Sequence, residues 1–504
     1  MIQTLKQHSL FFSMVTLLSI LLFIQSCDTV GSKSGVLNTI SNDTGSTPTT
    51  SNNAPKEKTY AFSWKPVDPS LSHIMQFLWL PNSTSDATIQ QDVQYTNAMP
   101  AGHRVIFIDH ATYRYLNKDS RDNCIDPSTS NLTKWRSIWW DHGVQTSKNR
   151  INAIFQKYAA AGGKADYIVL DSEYFLNNWA LQVHSDVYSL SAIQSDPRFQ
   201  KLVPQLGFSN LSTINNTTGS NNYYIWNNLM KVRTAKYIDE AVYNVVKNYF
   251  PNVRGVDYKY CNYNQNYQMI EKNGHNMDYY GNGAVVGTDQ NWNLYGEFGS
   301  VRNKKLDGVN LYTNTPFNSF RLEVNKMRAM KLASNNPVSP WIGAYSYGSS
   351  NYSPISRTDY YKEMVMHVLL TGPKLLLYFN APSYSSTGDN QILQNILNEF
   401  DSIAGYKGKK TLVKQEASWG ADYVLTGMSV NGQRVWRFTP DLPQSGNASS
   451  TIVQKGNGQV VVKTAKTKIT FPKGTLYTPS NPVSTKGLWI LQPDGATTPV
   501  ITNL

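Results

Sequence analysis

From Tyr60 onward the chain consists of short, almost uninterrupted apolar runs, each separated from the next by a longer amphipathic stretch. The runs are AFSW (61–64), HIMQFLWL (73–80), HRVIFIDH (103–110), ADYIVLDSE (165–173), VRGVDYKY (253–260), GAVVGTDQ (283–290), PWIGAYSY (340–347) and KLLLYFN (374–380), with a further candidate at GVNLYT (308–313). Helix-like segments such as SKNRINAIFQKYAAAGG, FNSFRLEVNKMRAMKLASNN and RTDYYKEMVMHVLLTG lie between them. A strand without a polar face has to be covered on both sides, as parallel strands beneath helices are. A succession of about eight such units predicts an α/β fold of the (β/α)8, TIM-like barrel type, here over residues 59–408. An open doubly wound sheet competes with it. No Gly-rich phosphate fingerprint follows the first strands, however, and no Walker-type lysine loop occurs, which removes the usual function of that fold.

Beyond residue 409 the pattern shortens to DYVLTGMSV, QRVWRFTP, QVVVKTA, KTKITFP and KGLWILQP, broken by turn residues. Residues 409–504 are therefore expected to form a small C-terminal antiparallel β-sandwich. Ahead of the barrel, residues 27–58 carry GSKSG and SNDTGSTPTTSNNAPKEK and almost no large apolar side chain, the composition of a flexible tether.

Residues 1–26 hold Lys6 and the apolar run LFFSMVTLLSILLFIQS, which ends at Cys27. With Ile24, Gln25 and Ser26 before the cysteine, this resembles a bacterial lipoprotein signal. The resemblance implies lipidation at Cys27, a lipid anchor in the membrane, and a protein of the cell envelope held at an outer membrane or cell surface. A transmembrane anchor is the alternative, since the run approaches the ~18 residues needed to span. Either way the rest of the chain lies outside the cytoplasm. Cys124 and Cys261 then allow at most one disulfide.

Charged residues make up only 16% of the chain, whereas 31 Tyr and 12 Trp supply uncharged stacking and hydrogen-bonding surface of the kind that suits carbohydrate. The formal charge of +12 favours an anionic partner such as a uronic or sulfated polysaccharide. That charge is spread out: only short clusters such as KGKK (407–410) occur, and WRFTP and YKYCNY are too sparse for a nucleic-acid footprint.

Barrel chemistry sits where strands end at their C-terminal side. There the runs finish in Asp109 and His110, Asp171 and Glu173, Asp257 and Tyr258, Asp289, Tyr345 and Asn380, with Trp341 on the run that ends in Tyr345. Paired carboxylates are the equipment of glycoside cleavage: one protonates the leaving oxygen while the other is nucleophile, base or charge stabiliser. Residues two apart on a strand share a face, so Asp171 and Glu173 point to the same side. If that side is inward, their repulsion raises one pKa and prepares an acid.

The D-x-E ending of ADYIVLDSE resembles the acidic motif of chitinase-type and related TIM-barrel glycoside hydrolases. The resemblance implies Glu173 as general acid and Asp171 as its electrostatic partner. The residues before them, Tyr167, Ile168, Val169 and Leu170, depart from the fuller motif, which carries further aspartates and glycines. A second working carboxylate is expected from Asp257 or from Glu297 in NLYGEFGSVR, and substrate contacts from Asp109, Tyr258, Asp289, Trp341, Tyr345 and Asn380. A non-catalytic glycan-binding lipoprotein is the alternative, and a polysaccharide lyase a third reading. No GxSxG elbow and no HExxH motif occurs, so neither a serine hydrolase nor a zinc site is expected, nor any other cofactor. Glu363 and His367, one turn apart in TDYYKEMVMHVLL, are expected to hydrogen-bond where helix meets barrel.

Overall fold

The computed structural model describes residues 38–40, 55–80, 85–108, 119–137, 141–170, 189–205, 239–257, 316–333, 337–343, 359–380, 387–418, 420–441, 452–456 and 458–504, together with six two-residue strands between 262 and 310. The first strand, β1 (Asn38–Ile40), belongs to the C-terminal half. Then follow β2 (Ala61–Ser63), β3 (Ile74–Gln76), β4 (Leu78–Trp79), α1 (Asp86–Ala98), β5 (Val105–Ile108), the hairpin of β6 (Asn123–Ile125) and β7 (Leu132–Arg136), and α2 (Asp141–Ala160). The chain continues through β8 (Tyr167–Leu170), α3 (Leu190–Ser195), α4 (Pro197–Gln205), α5 (Asn244–Lys247) and β9 (Arg254–Asp257). Next come the hairpin β10 (Asn262–Tyr263) and β11 (Met269–Ile270), β12 (Thr288–Asp289), β13 (Asn293–Leu294) and the hairpin β14 (Lys305–Leu306) and β15 (Val309–Asn310). This half closes with α6 (Pro316–Ala333), β16 (Trp341–Ile342), α7 (Asp359–Leu370), β17 (Leu376–Tyr378) and α8 (Thr387–Ala404).

The expected α/β alternation is present, but the hydrogen bonds among the described residues form two five-stranded sheets rather than one closed barrel. One runs β12-β9-β8-β5-β4 and the other β13-β16-β17-β2-β3, and every pairing in both is parallel. The candidate strand at 308–313 is instead part of the antiparallel β14–β15 hairpin, outside both sheets.

Side-chain alternation explains why the runs are apolar throughout. Phe62, Phe77, Val105, Phe107, Tyr167, Val169, Val256, Trp341, Leu375 and Leu377, drawn from both sheets, pack into one common core. Their neighbours one residue away point the other way: Ile106, Ile108, Ile168 and Leu170 pack with α1 and α2, and Ala61, Ile342, Leu376 and Tyr378 with α6, α7 and α8. Fully burying one such side chain contributes about 1.5–3 kcal/mol. A glycine serves this layer at 255, where any Cβ would collide with the ring of Tyr243 from the helical segment behind β9.

Local capping sets the helix starts. Ser85 accepts from the Thr88 amide at the head of α1. At α2 the cap comes from afar: buried Asp122 accepts from the His142 amide at 3.0 Å, the Gly143 amide at 2.8 Å and the His142 ring at 2.8 Å. A carboxylate there satisfies orphan donors and meets the positive end of the helix dipole.

The C-terminal half is the expected antiparallel sandwich. Its strands are β18 (Thr411–Glu416), β19 (Tyr423–Val430), β20 (Gln433–Pro440), β21 (Ile452–Gly456), β22 (Gln459–Lys463), β23 (Thr467–Pro472), β24 (Thr475–Tyr477), β25 (Leu488–Pro493) and β26 (Val500–Asn503). They form sheets ordered β18-β19-β20-β25-β24 and β1-β21-β22-β23-β26, with Tyr423, Leu425, Trp436, Phe438, Val462 and Phe471 among the side chains between them. Asn431 (φ 51°) and Gly432 (φ 72°) make the tight turn between β19 and β20, the left-handed pair that an Asn-Gly hairpin supplies. Two points of the expected tether are tied to this end of the chain: β1 adds in parallel to β21, and the Glu57 amide donates to the Gly405 carbonyl at 2.8 Å.

The first sandwich sheet is buried on its second face too, against α7 and α8. There Arg437 lies between two helix carboxylates. Its Nε donates to Glu363 at 2.7 Å, its Nη2 donates to the other oxygen of Glu363, and Glu399 lies 4.0 Å from its Nη1. Thr439 donates to Glu363 at 2.6 Å, and Trp489 donates to Glu399 at 2.6 Å while its ring stacks under the guanidinium. His367 uses both ring nitrogens on Thr426 (2.7 Å) and Thr439 (3.0 Å). Glu363 and His367 thus join helix to sandwich, not helix to barrel as the sequence suggested.

Replacing Arg437 by Met strands two buried carboxylates and is expected to cost about 3–5 kcal/mol, read as a lower urea midpoint for the whole chain. Burial, with the Arg437 charge second, holds the His367 pKa well below its ordinary value. Below an unfolded-state pKa of about 6.5 the unfolded chain then binds a proton that the folded chain does not, so stability falls as pH drops through that range. His367→Gln is expected to flatten the loss of stability between about pH 6.5 and 5, measured by urea unfolding at stepped pH.

Candidate active site

At the C-terminal ends of the parallel strands the common core finishes in rings. Trp64 follows β2, Trp79 ends β4, Phe107 lies in β5, Trp341 begins β16 and Phe379 follows β17. Trp64 is at their centre, with ring-centroid distances of 4.6 Å to Trp79, 4.9 Å to Phe107, 5.4 Å to Phe379 and 6.0 Å to Trp341. Phe77 stacks on Phe107 at 4.7 Å beneath them. Most contacts are edge-to-face, the arrangement that opposes ring edge to ring face. Phe107 and Trp341 are fully covered, whereas Trp64, Trp79 and Phe379 are half-exposed. The upper surface is therefore an aromatic floor. Among the described residues, the buried indole Nε1 of Trp341 has no hydrogen-bond partner.

Register fixes where the strand-end acids stand on the backbone. Asp257 ends β9 opposite Leu170, a residue of the helix-facing core, while Val256 beside it is opposite Val169 and belongs to the common core. Asp289 ends β12 opposite Val256, in the row of that common core. Asp109, Asp171, Glu173, Tyr258, Glu297, Tyr345 and Cys27 lie outside the described residues. Trp341 is in the floor. Asn380 is buried, and its amide is used on the backbone of Lys65: Oδ1 accepts from the Lys65 amide at 2.7 Å and Nδ2 donates to the carbonyl at 3.2 Å. It clasps the segment that carries Trp64 instead of presenting a free amide.

Sequence reasoning singled out terminal acids and passed over Trp64, Trp79, Phe107 and Phe379. The signal was present: each is an aromatic residue on the same alternate register as the core side chains of its own run. His142 is tied to Asp122, and Trp135, in the β6–β7 hairpin, is half-buried against the second helix-facing core, with Lys134 4.7 Å above its ring. Cys124 is buried in β6 and its thiol is pushed up to about 12 by burial; Cys261 lies outside the described residues. Among the described residues no group of His, Cys, Asp and Glu is arranged to hold a metal, and no helix is long and apolar enough to cross a membrane.

No family model and no curated protein matches the sequence. Among solved structures the chain is similar to a GH30 endoxylanase from Clostridium papyrosolvens C71, at 9% identity and a TM-score of 0.36, covering 88% of this chain and 98% of that one. It is also similar to Amy13B of Eubacterium rectale, at 10% identity and a TM-score of 0.38, covering 88% and 97%. A third is an α-amylase from Geobacillus thermoleovorans complexed with acarbose, at 10% identity and a TM-score of 0.32, covering 87% and 100%. At these scores the reading of the site rests on its own geometry.

The Trp64–Trp79 pair, with ring planes at 80°, is expected to give an exciton couplet in the far-ultraviolet circular dichroism. Trp64→Phe and Trp79→Phe should each abolish it, while Trp135→Phe, outside the floor, should leave it in place.

Proposed function

We propose that this chain is an extracytoplasmic glycoside hydrolase whose active site lies above the aromatic floor of a closed eight-stranded barrel. The observation that carries the reading is the register of the two walls. Phe77 joins β3 to β4, and across it the ladder moves from Met75, paired with Phe62, to Trp79, paired with Phe107. Between β12 and β13 it moves from Asp289, paired with Val256, to Asn293, paired with Trp341. Each join shifts the register by four residues. Together they supply the shear of about eight that an eight-stranded barrel requires.

With that closure, Trp64, Phe107 and Trp341 come from alternate strands and form three members of a four-residue barrel layer. Tyr258, the next position of core parity on β9, would be the fourth. The core series of β8, Tyr167 and Val169, would continue to Asp171 and then Glu173. That of β5, Val105 and Phe107, would continue to Asp109. Two acids on one inward face directly above a stacking platform are what glycosidic cleavage needs: Glu173 protonates the departing oxygen, and Asp171 orients it or stabilises positive charge on the sugar. Asp257 has the opposite parity, so Glu297, which shares parity with Asn293, is preferred as nucleophile or base. Asp289 would contribute a carboxylate lower on the inner wall. Cys27 would carry the lipid that anchors the protein in the envelope.

Release of reducing ends from a panel of neutral, uronic and sulfated polysaccharides tests the reading. Glu173→Gln is expected to lower kcat by roughly 10²–10⁴-fold, with Asp171→Asn also strongly impaired and Asp257→Asn within a few-fold of the parent. Full activity in both Glu173→Gln and Asp171→Asn would overturn the assignment. Saturable glycan binding without any product would favour the non-catalytic binding protein instead.

A further inference from the structure

The opposite mouth of the parallel strands holds a cavity of about 640 Å³. Tyr60 precedes β2, His103 precedes β5, Tyr167 begins β8 and Lys374 precedes β17, so the cavity opens at the N-terminal ends of the strands, away from the aromatic floor. Among its described lining residues are Lys58, Lys331, Lys374, Lys409 and Lys410, and the carboxylate Glu57, which lies 3.8 Å from Lys410. Its inner wall is aromatic: Tyr60 and His103 meet edge to face at 5.2 Å, and among the described residues the buried Nδ1 of His103 has no hydrogen-bond partner.

We propose that this mouth binds a phosphate- or sulfate-class oxyanion. Gathering the ammonium groups of Lys58, Lys374, Lys409 and Lys410 around Glu57 is unfavourable without a further counter-charge, because like charges repel and a concave, partly apolar wall focuses their field. Lysine is the point-charge partner of tetrahedral oxyanions, whereas planar carboxylates are recognised by the arginine fork, and no arginine is among the described residues lining the cavity. The volume exceeds what a bare ion needs, so the oxyanion is carried as an ester on a larger group, with Tyr60 and Tyr167 as flanking rings. The backbone holds the mouth in shape: the Glu57 amide donates to Gly405 at 2.8 Å and the Lys407 amide to Pro55 at 2.9 Å, clipping the entering chain to the segment after α8.

Titration calorimetry of the whole protein with inorganic sulfate and inorganic phosphate at low ionic strength tests the site. Saturable binding is expected, weakened roughly tenfold in a Lys374→Gln/Lys409→Gln double variant and unchanged in Lys148→Gln on α2. Both substituted lysines in the double variant are exposed, so an unaltered unfolding midpoint without ligand certifies its fold. No saturable binding to the parent, or equal affinity in the double variant, would overturn the proposal. Two further probes distinguish the carrier. Tighter binding of a monosaccharide sulfate ester than of free sulfate assigns the site to a soluble or glycan-borne ester. Retention on phosphatidylglycerol but not phosphatidylcholine vesicles, reversed by inorganic phosphate, assigns it to lipid headgroups. Catalysis is not read in any of these experiments, so their outcome is independent of the glycosidase reading.

Discussion

Strands β2, β5, β8, β16 and β17 are buried on both faces, and the packing of the N-terminal part follows from that constraint. A two-sided strand has to give alternate side chains to two different cores, so Ile106 and Ile168 pack with helices while Phe107 and Val169 pack inside. The inner core can be filled only by side chains from both sheets together, which is why Trp341 and Phe62 of one wall share it with Phe107 and Val256 of the other. The same alternation decides which strand-end residues can face the inner space and which face the helices.

The two halves are joined by charge rather than by apolar contact alone. Arg437 is 1% exposed, Glu363 is 0% exposed, and each of the groups around them has a partner in the other half. Such a buried pair adds little net stability over a well-packed apolar contact, but breaking it leaves a stranded charge. Its geometric demand fixes the sandwich on α7 and α8 at one angle, and the depressed His367 beside it makes that joint sensitive to acid. The joint lies on the helix-bearing outside of the parallel sheets, so the sandwich braces α7 and α8.

Much of the architecture was legible in the chain. Continuous apolar runs specified parallel strands, the Asn431-Gly432 pair specified a hairpin, and the change of period near residue 410 specified the sandwich. GVNLYT misled because a short apolar run has the same composition in a two-residue hairpin as in a barrel stave. Asn380 misled because a polar residue at a strand end can equally clasp a neighbouring backbone, as it does at Lys65. Glu363 and His367 were correctly read as hydrogen-bonding residues of a helix, but their partners lie 59 to 76 residues away in sequence. Helical spacing carries no information about what a face will meet.

By itself the sequence determined the local geometry: which segments are extended, which are helical, where turns fall, and that acids cluster at strand ends. Those properties depend on neighbours within a few residues. The tertiary structure decided that Trp64 gathers rings from four other strand runs into a floor, and that lysines from four separate segments line one cavity. Register between strands is set by the fit of whole layers, not by any one strand. A shift of one residue would exchange inside for outside, and only the packed core chooses between them.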